Sequence, residues 1–353
     1  MGKAYLVLAD GSIYEGVGFG AETPAVGELE FTTGVVGYGE TLTDPCHAGQ
    51  IVLQTFPLIG NYGVIGEDLP DRCAVAGYVV REWCADPSNF RCQCDIDTYL
   101  KNQGVPGICG LDTRAITRKL RDQGSMNAMI CTSLPADLSA LAAHAPANAV
   151  SAFSCAEKAA FPVENARFHV AMLDLGARRH IIEELNRLGC SVTLWPQDAA
   201  AEAILADQPD GLLLGDGPDA CAGRCAAIGE IAKLAGKLPI LGLGLGHLLL
   251  ALACGGSIVK MKAGHHGSNQ PAKDLHSGRT YITVQNHGHS VVSAPGGSTR
   301  FINVNDQSCE GMVYADLNAF SLQFIPERCV GPNDTAFLYD QFISMMGGDD
   351  ACR

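Results

Sequence analysis

The chain is short of the positive charge that a nucleic-acid or anionic-membrane partner requires. Of its 353 residues, 24 are Lys or Arg and 38 are Asp or Glu, a formal net charge of -14, so its broad field repels phosphate. It also has no long hydrophobic run: nothing approaches the ~18 apolar residues of a membrane-spanning helix. Nor does it open like an exported chain, because Asp10 and Glu15 interrupt MGKAYLVLADGSIYEG where a secretory leader continues apolar. A cytoplasmic location is expected. Cysteine is plentiful at 15, but paired cysteine is scarce. The close pairs Cys92/Cys94 and Cys221/Cys225 have neither zinc-knuckle nor thioredoxin-like spacing, and an odd total argues against a disulfide framework. Most of these thiols are expected to be small buried apolar groups. With 47% hydrophobic and 18% charged residues, the composition is that of a globular protein of roughly two or three domains. The expected partner is a small metabolite or another protein.

The most informative absence is local. Within PILGLGLGHLLLALACGG, Pro239 to Leu243 reads as a strand, Gly244 to Gly246 as a turn and Leu248 to Ala253 as a helix closed by Gly255 and Gly256. In hydrolases a strand-turn-helix of this form carries Ser or Cys on a tight bend between two glycines. Here Gly242 and Gly246 flank Gly244, which has no side chain. The scaffold for a nucleophile is present and the nucleophile is not.

The first part of the chain, to about residue 150, is rich in Val, Ile, Thr, Tyr and Gly, with strand-like runs at Tyr5 to Leu8, Ile51 to Thr55 and Val75 to Arg81. A helix is expected near Asp112 to Arg121, capped by Asp112 and closed by Gly124. Its Arg114, Arg118, Lys119 and Arg121 read as a solvated face. The Ala- and Pro-containing stretch from Leu134 to Ala160 marks a boundary, which places one domain at 1–150, a linker at 151–168 and a second domain at 169–353.

From His169 the pattern alternates. Strands are expected at Val170 to Leu173, Ser191 to Trp195 and Gly211 to Leu214, with helices at Arg179 to Leu188, Ala199 to Ala206 and Cys221 to Leu234. Alternation of this kind requires crossovers and yields an α/β fold with a parallel sheet. Ligands in such sheets sit beyond the carboxyl ends of the strands. Three turns gather there: Asp174-Leu175-Gly176, Gly215-Asp216-Gly217-Pro218-Asp219 and Gly242 to Gly246. Further on, Gly264-His265-His266-Gly267, Gln285-Asn286-His287-Gly288-His289 and Gln323-Phe324-Ile325-Pro326-Glu327 read as polar or Gly-rich interruptions between apolar runs. His265, His266, His287 and His289 invite a metal reading, but adjacent histidines on a strand point to opposite faces, so His265 and His266 do not easily reach one ion. The four are assigned to structural hydrogen bonding and no metal site is expected.

Several long segments, in order, resemble the small, glutaminase chain of carbamoyl phosphate synthetase. They include GELEFTTGVVGYGETLTDPCHAGQIVLQTFPLIGNYGV, PSNFRCQCDIDTYLKNQGVPGICGLDTRAITRKLRDQGSMNAMI, PDGLLLGDGP, GLGLGHLLLALA, KAGHHGSNQP, QNHGH and FSLQFIPE. The resemblance implies a β-rich α/β N-terminal domain peculiar to that chain, which docks on a large synthetase chain, followed by a parallel-sheet class I glutamine amidotransferase domain. The family passes ammonia from glutamine to the large chain for pyrimidine and arginine synthesis, and implies no cofactor in the small chain. Its triad carries over as follows. The Cys position is Gly244, the His position is Ile325, and the Glu position is retained as Glu327. A thiol must lose its proton to attack an amide, and the imidazole that accepts it must be held in one tautomer, so two of three members are gone.

The family's glutamine-pocket positions fall on Cys46, Gly217, Asp219, Leu245, Leu248, Asn286, Gly288 and His289. Gly217, Leu245, Asn286 and Gly288 match the family. Leu248 replaces a Gln, Cys46 a Ser and His289 a Phe. Asp219 replaces a Gly and brings a carboxylate toward the place where negative charge develops on an oxyanion. Loss of glutaminase activity is expected, with the chain acting as a structural or regulatory partner of a large synthetase chain. The alternatives are a stand-alone pseudoenzyme that holds another small ligand in the altered pocket, and a glutaminase with Cys46 as relocated nucleophile, served by His47 or His289. A dinucleotide fold is disfavoured, since the third Gly of G-x-G-x-x-G would fall on His247 and Lys260 and Lys262 stand where an acidic residue belongs.

Overall fold

A computed structural model describes residues 2–69, 72–145, 149–176, 179–326 and 334–347, with the side chains of Cys221 and Arg224 left aside. The chain forms two compact units, Met1–Ala147 with Lys262–His266, and Asn148–Met261 with Gly267–Arg353.

The first unit is a closed barrel. Its strands are β1 (Lys3–Leu8), β2 (Ile13–Gly20), β3 (Ala25–Thr32), β4 (Gln50–Gln54), β6 (Gly77–Val79), β8 (Pro106–Cys109) and β9 (Met126–Cys131), in the order β1-β2-β8-β6-β4-β3-β9, beside a small pair β5 (Leu58–Ile59) and β7 (Glu82–Trp83). Side-chain alternation sorts β4 between two cores. Ile51 and Leu53 of β4 pack with Leu6, Phe31 and Ile130, whereas Val52 packs with Phe19, Tyr38 and Tyr78. Helix Thr113–Gln123 lays Ile116 and Leu120 on the first of these cores. Its N-cap Asp112 accepts the N–H of Ala115 at 3.0 Å, and the Gly124 N–H donates to the Leu120 carbonyl at 2.8 Å.

The second unit is built on a ten-stranded sheet ordered β10-β12-β11-β13-β14-β19-β18-β17-β15-β16. The strands are β10 (Ala159–Phe161), β11 (Phe168–Asp174), β12 (Cys190–Pro196), β13 (Gly211–Leu214), β14 (Ile240–Leu243), β15 (Ser257–Asp274), β16 (Thr280–Ser293), β17 (Ser298–Asn303), β18 (Cys309–Tyr314) and β19 (Ala319–Leu322). From β12 through β11, β13 and β14 to β19 the pairing is parallel. These central strands read as unbroken apolar runs because helices cover both faces. Ala171, Leu173, Leu212, Leu214 and Ile240 meet helices Ala201–Ala206, Ala227–Leu234 and Leu245–Ala253 on one face. Val170, Met172, Leu213, Leu241 and Leu243 meet helices Arg179–Arg187 and Phe337–Met345 on the other.

Three sequence expectations are corrected. Residues 151–168 are no free linker: β10 pairs antiparallel with β12, the Cys155 N–H donates to Asp174 Oδ2 at 2.7 Å, and the Gln197 N–H donates to Ser154 Oγ at 3.0 Å. The helix expected over Cys221 to Leu234 is split into a 3-10 turn, Asp219–Arg224, and a helix from Ala227. The GHHG and QNHGH segments are not interruptions, because they lie inside the long strands β15 and β16. Gly and His carry little strand propensity of their own, and pairing in the sheet overrides it. Among the described residues, no helix is long and apolar enough to cross a membrane.

Candidate functional site at the glycine elbow

The elbow forms where β14 meets helix Leu245–Ala253. Gly244 sits between them at φ 51°, ψ −110°, a conformation that strains any residue bearing a Cβ. Its neighbours are glycine for a steric reason. A Cβ on Gly242 would lie 2.8 Å from the Gly246 carbonyl oxygen, and one on Gly246 would be 2.7 Å from the Leu214 side chain. Strand and helix approach so closely that only backbone fits between them. The Gly244 N–H donates to the Leu322 carbonyl at 2.9 Å, which ties the bend to β19.

The space above Gly244 is filled from the next strand. β13 and β14 are parallel, with Leu214 opposite Gly242, so the turn after β13 stands beside the elbow. Its Asp216 is buried, and one carboxylate oxygen accepts the Gly217 N–H at 2.8 Å and the Leu245 N–H at 3.1 Å. Asp216 was visible in the sequence only as a member of GDGPD. The signal that marks it is positional, since both turns leave neighbouring strands at the same level.

Asp219 lies elsewhere in that turn. Its Oδ2 accepts the N–H groups of Gly288 at 2.7 Å and His289 at 2.8 Å, and the His289 ring nitrogen Nδ1 is 3.1 Å away. Burial alone would raise this carboxyl's pKa. The His289 hydrogen bond and charge, helped by the Gly288 N–H, outweigh it and hold the group down at about 2. The carboxylate set against the elbow is therefore Asp216, while Asp219 is bound to β16. Gly217 is pressed against Leu175, and its Cβ would be 3.3 Å from the Leu245 side chain.

Leu245 and Leu248, three residues apart on one helix face, are both buried in the core shared with Ile204, Leu212 and Ile231. Asn286, Gly288 and His289 are half-buried on β16. Ile325 is 5% exposed, bridges to Val284 and packs in the opposite core with Phe324, which meets Phe301 edge-on at 5.4 Å. Glu327 lies outside the described residues. Cys46 belongs to the first unit, buried in the 3-10 turn Pro45–His47, where its N–H donates to Asp44 Oδ1 at 3.0 Å. The adjacent His47 holds Gln50 Oε1 at 2.7 Å through Nδ1, and burial lowers its pKa. At the elbow itself the described groups offer backbone N–H donors and a carboxylate, and no nucleophile.

The profile described as carbamoyl-phosphate synthase small chain, CPSase domain, matches residues 6–130, and that of the class I glutamine amidotransferases matches residues 171–345. The chain is 43% identical over 346 residues to the carbamoyl phosphate synthase small chain of Clostridium perfringens, covering 97% of this chain and 99% of that protein. This chain belongs to the carbamoyl phosphate synthase small-chain family. Other members are similarly close: the small chain of Bacillus caldolyticus is 40% identical over 98% of this chain and 96% of its own length, and that of Archaeoglobus fulgidus 42% over 98% and 99%. Within this small-chain family, the α/β fold expected from the alternation of strands and helices is the amidotransferase fold of the second unit, preceded by the family's own N-terminal domain.

Proposed function

We propose that this small-chain family member has lost glutamine hydrolysis and serves as a structural or regulatory partner of a large synthetase chain, in carbamoyl phosphate supply for pyrimidine and arginine synthesis. One observation carries the reading: the bend that presents a nucleophile holds a glycine, and a carboxylate occupies the volume where its side chain would begin. A glycine forms no thioester. Loss of a catalytic unit costs on the order of 10⁶ in turnover, or roughly 8 kcal/mol of transition-state stabilisation. Ile325 adds to this, because a buried apolar side chain accepts no proton.

The second reading, a different small ligand in the altered pocket, has less support. Asp219 and His289 are engaged with each other, and Leu248 is buried in the core. A relocated Cys46 nucleophile is disfavoured too, since Cys46 is buried in the 3-10 turn Pro45–His47 of the first unit, and buried thiols of this kind are inert packing groups.

The deciding experiment assays glutamate release by the purified chain, alone and with a cognate large chain, beside carbamoyl phosphate formation from glutamine and from ammonia. The expected result is co-purification with the large chain, synthesis from ammonia and no glutamate release. An acyl adduct trapped on this chain, or release abolished by Cys46→Ala, overturns the reading. Failure to associate at micromolar concentration removes the partner role.

A further inference from the structure

Leu214 and Gly242 are register partners on adjacent parallel strands, and Asp216 and Gly244 each lie two residues further on. They meet at the carboxyl edge of the sheet. Two backbone N–H groups converge there on a single Asp216 oxygen, from Gly217 at 2.8 Å and from Leu245, the first residue of a nine-residue helix, at 3.1 Å. An N–H at a helix start, paired with one from the neighbouring turn, makes an anion cradle. Here the anion belongs to the chain. A Cβ built on Gly244 would fall inside this carboxylate, with even its farther oxygen only 3.0 Å away.

We infer that Asp216 is an intramolecular ligand that keeps this anion cradle filled, and that Asp216 and Gly244 form one interlocked unit. The carboxylate reaches the donors only because residue 244 has no side chain. No side chain returns to 244 while the carboxylate is there. Replacing Gly244 by Cys alone therefore sets a sulfur against a buried carboxylate, and any anion developing at the bend finds its donors taken. The interlock is independent of docking on a large chain, and its test does not read glutaminase activity.

The test is a double-mutant cycle read by thermal unfolding of Gly244→Ala, Asp216→Ala and the double variant, with and without sodium formate at constant ionic strength. The left-handed φ penalises Ala at 244 in both backgrounds and cancels in the cycle. On the native background Gly244→Ala is expected to lower the melting temperature by about 10 °C, or to prevent folding, as a severe buried clash does. With Asp216→Ala present the same change is expected to cost less than half as much. Asp216→Ala alone is expected to gain about 3–6 °C at about 100 mM formate, while the wild type does not respond. Equal losses in both backgrounds, including failure to fold in both, overturn the interlock. An Asp216→Ala protein that ignores formate, or stays unfolded with and without it, overturns the cradle.

Discussion

The Nδ1 of His247 lies 2.8 Å from the Ser321 hydroxyl, joining the elbow helix to β19 where both residues are fully buried. Burial pushes the His247 pKa down to about 3; nearby Glu310 works against this and His287 adds to it. The unfolded chain takes up a proton near the ordinary pKa of ~6.5 and the folded chain does not. The folded pKa lies below the unfolded one, so this group's share of stability is intact above pH ~6.5 and is lost as pH falls toward the folded value. Between pH 7.5 and 5 the expected loss from His247 is about 2 kcal/mol. His247→Gln, which keeps a partner for Ser321, is expected to remove that share of the pH dependence. Urea unfolding of both proteins at the two pH values checks it, and an unchanged slope refutes it.

The Asp219 carboxylate is expected to stabilise the second unit at neutral pH. Its folded pKa, about 2, is below that of the free side chain. The contribution is therefore present above pH ~4 and disappears as pH falls toward ~2. Asp219→Asn is expected to cost about 1–3 kcal/mol at pH 7 by weakening the bonds to Gly288 and His289. Denaturant titrations at pH 7 and pH 3 should show the gap narrowing in acid. Equal stability at pH 7 would rule out the role.

Placing an imidazole at 325 is expected to damage the protein. Ile325 packs among Leu243, Phe301 and Phe324, so Ile325→His puts a polar ring into an apolar core at a cost of about 2–4 kcal/mol. A urea midpoint within error of wild type would contradict this packing.

In the first unit, Asp112→Ala removes the side-chain oxygen that accepts the Ala115 N–H. The expected cost is about 1 kcal/mol. Hydrogen exchange across Thr113–Gln123 should rise at the first turn of the helix. Unchanged protection there would show that the cap contributes little.

Much of the fold was legible because its signals are local. Glycines at 242, 244 and 246 between two apolar runs announce a strand-turn-helix, and the uninterrupted apolar strands at 170–173 and 211–214 announce a sheet covered on both faces. Asp112 and Gly124 marked a helix whose ends they cap. The segments around His266 and His287, read as interruptions between apolar runs, lie inside long strands, since glycine beside polar residues carries no strand signal until its strand partners are known. The acidic group at the elbow was legible only in part: the GDGPD turn was expected beside it, but which of its two carboxylates meets Gly244 depends on the pairing of β13 with β14.

The amino-acid order by itself settled which atoms exist: no sulfur at 244 and no imidazole at 325, identities that folding cannot alter. It also settled the alternation that forces parallel strands in the second unit. Only the tertiary structure decided what stands where the missing side chain would be. Parallel pairing of β13 with β14 sets two turns distant in sequence at one level, so that Asp216 meets Gly244, while Asp219 turns away to the N–H groups of β16. Covalent identity is local, whereas the occupancy of a volume depends on which strands lie side by side.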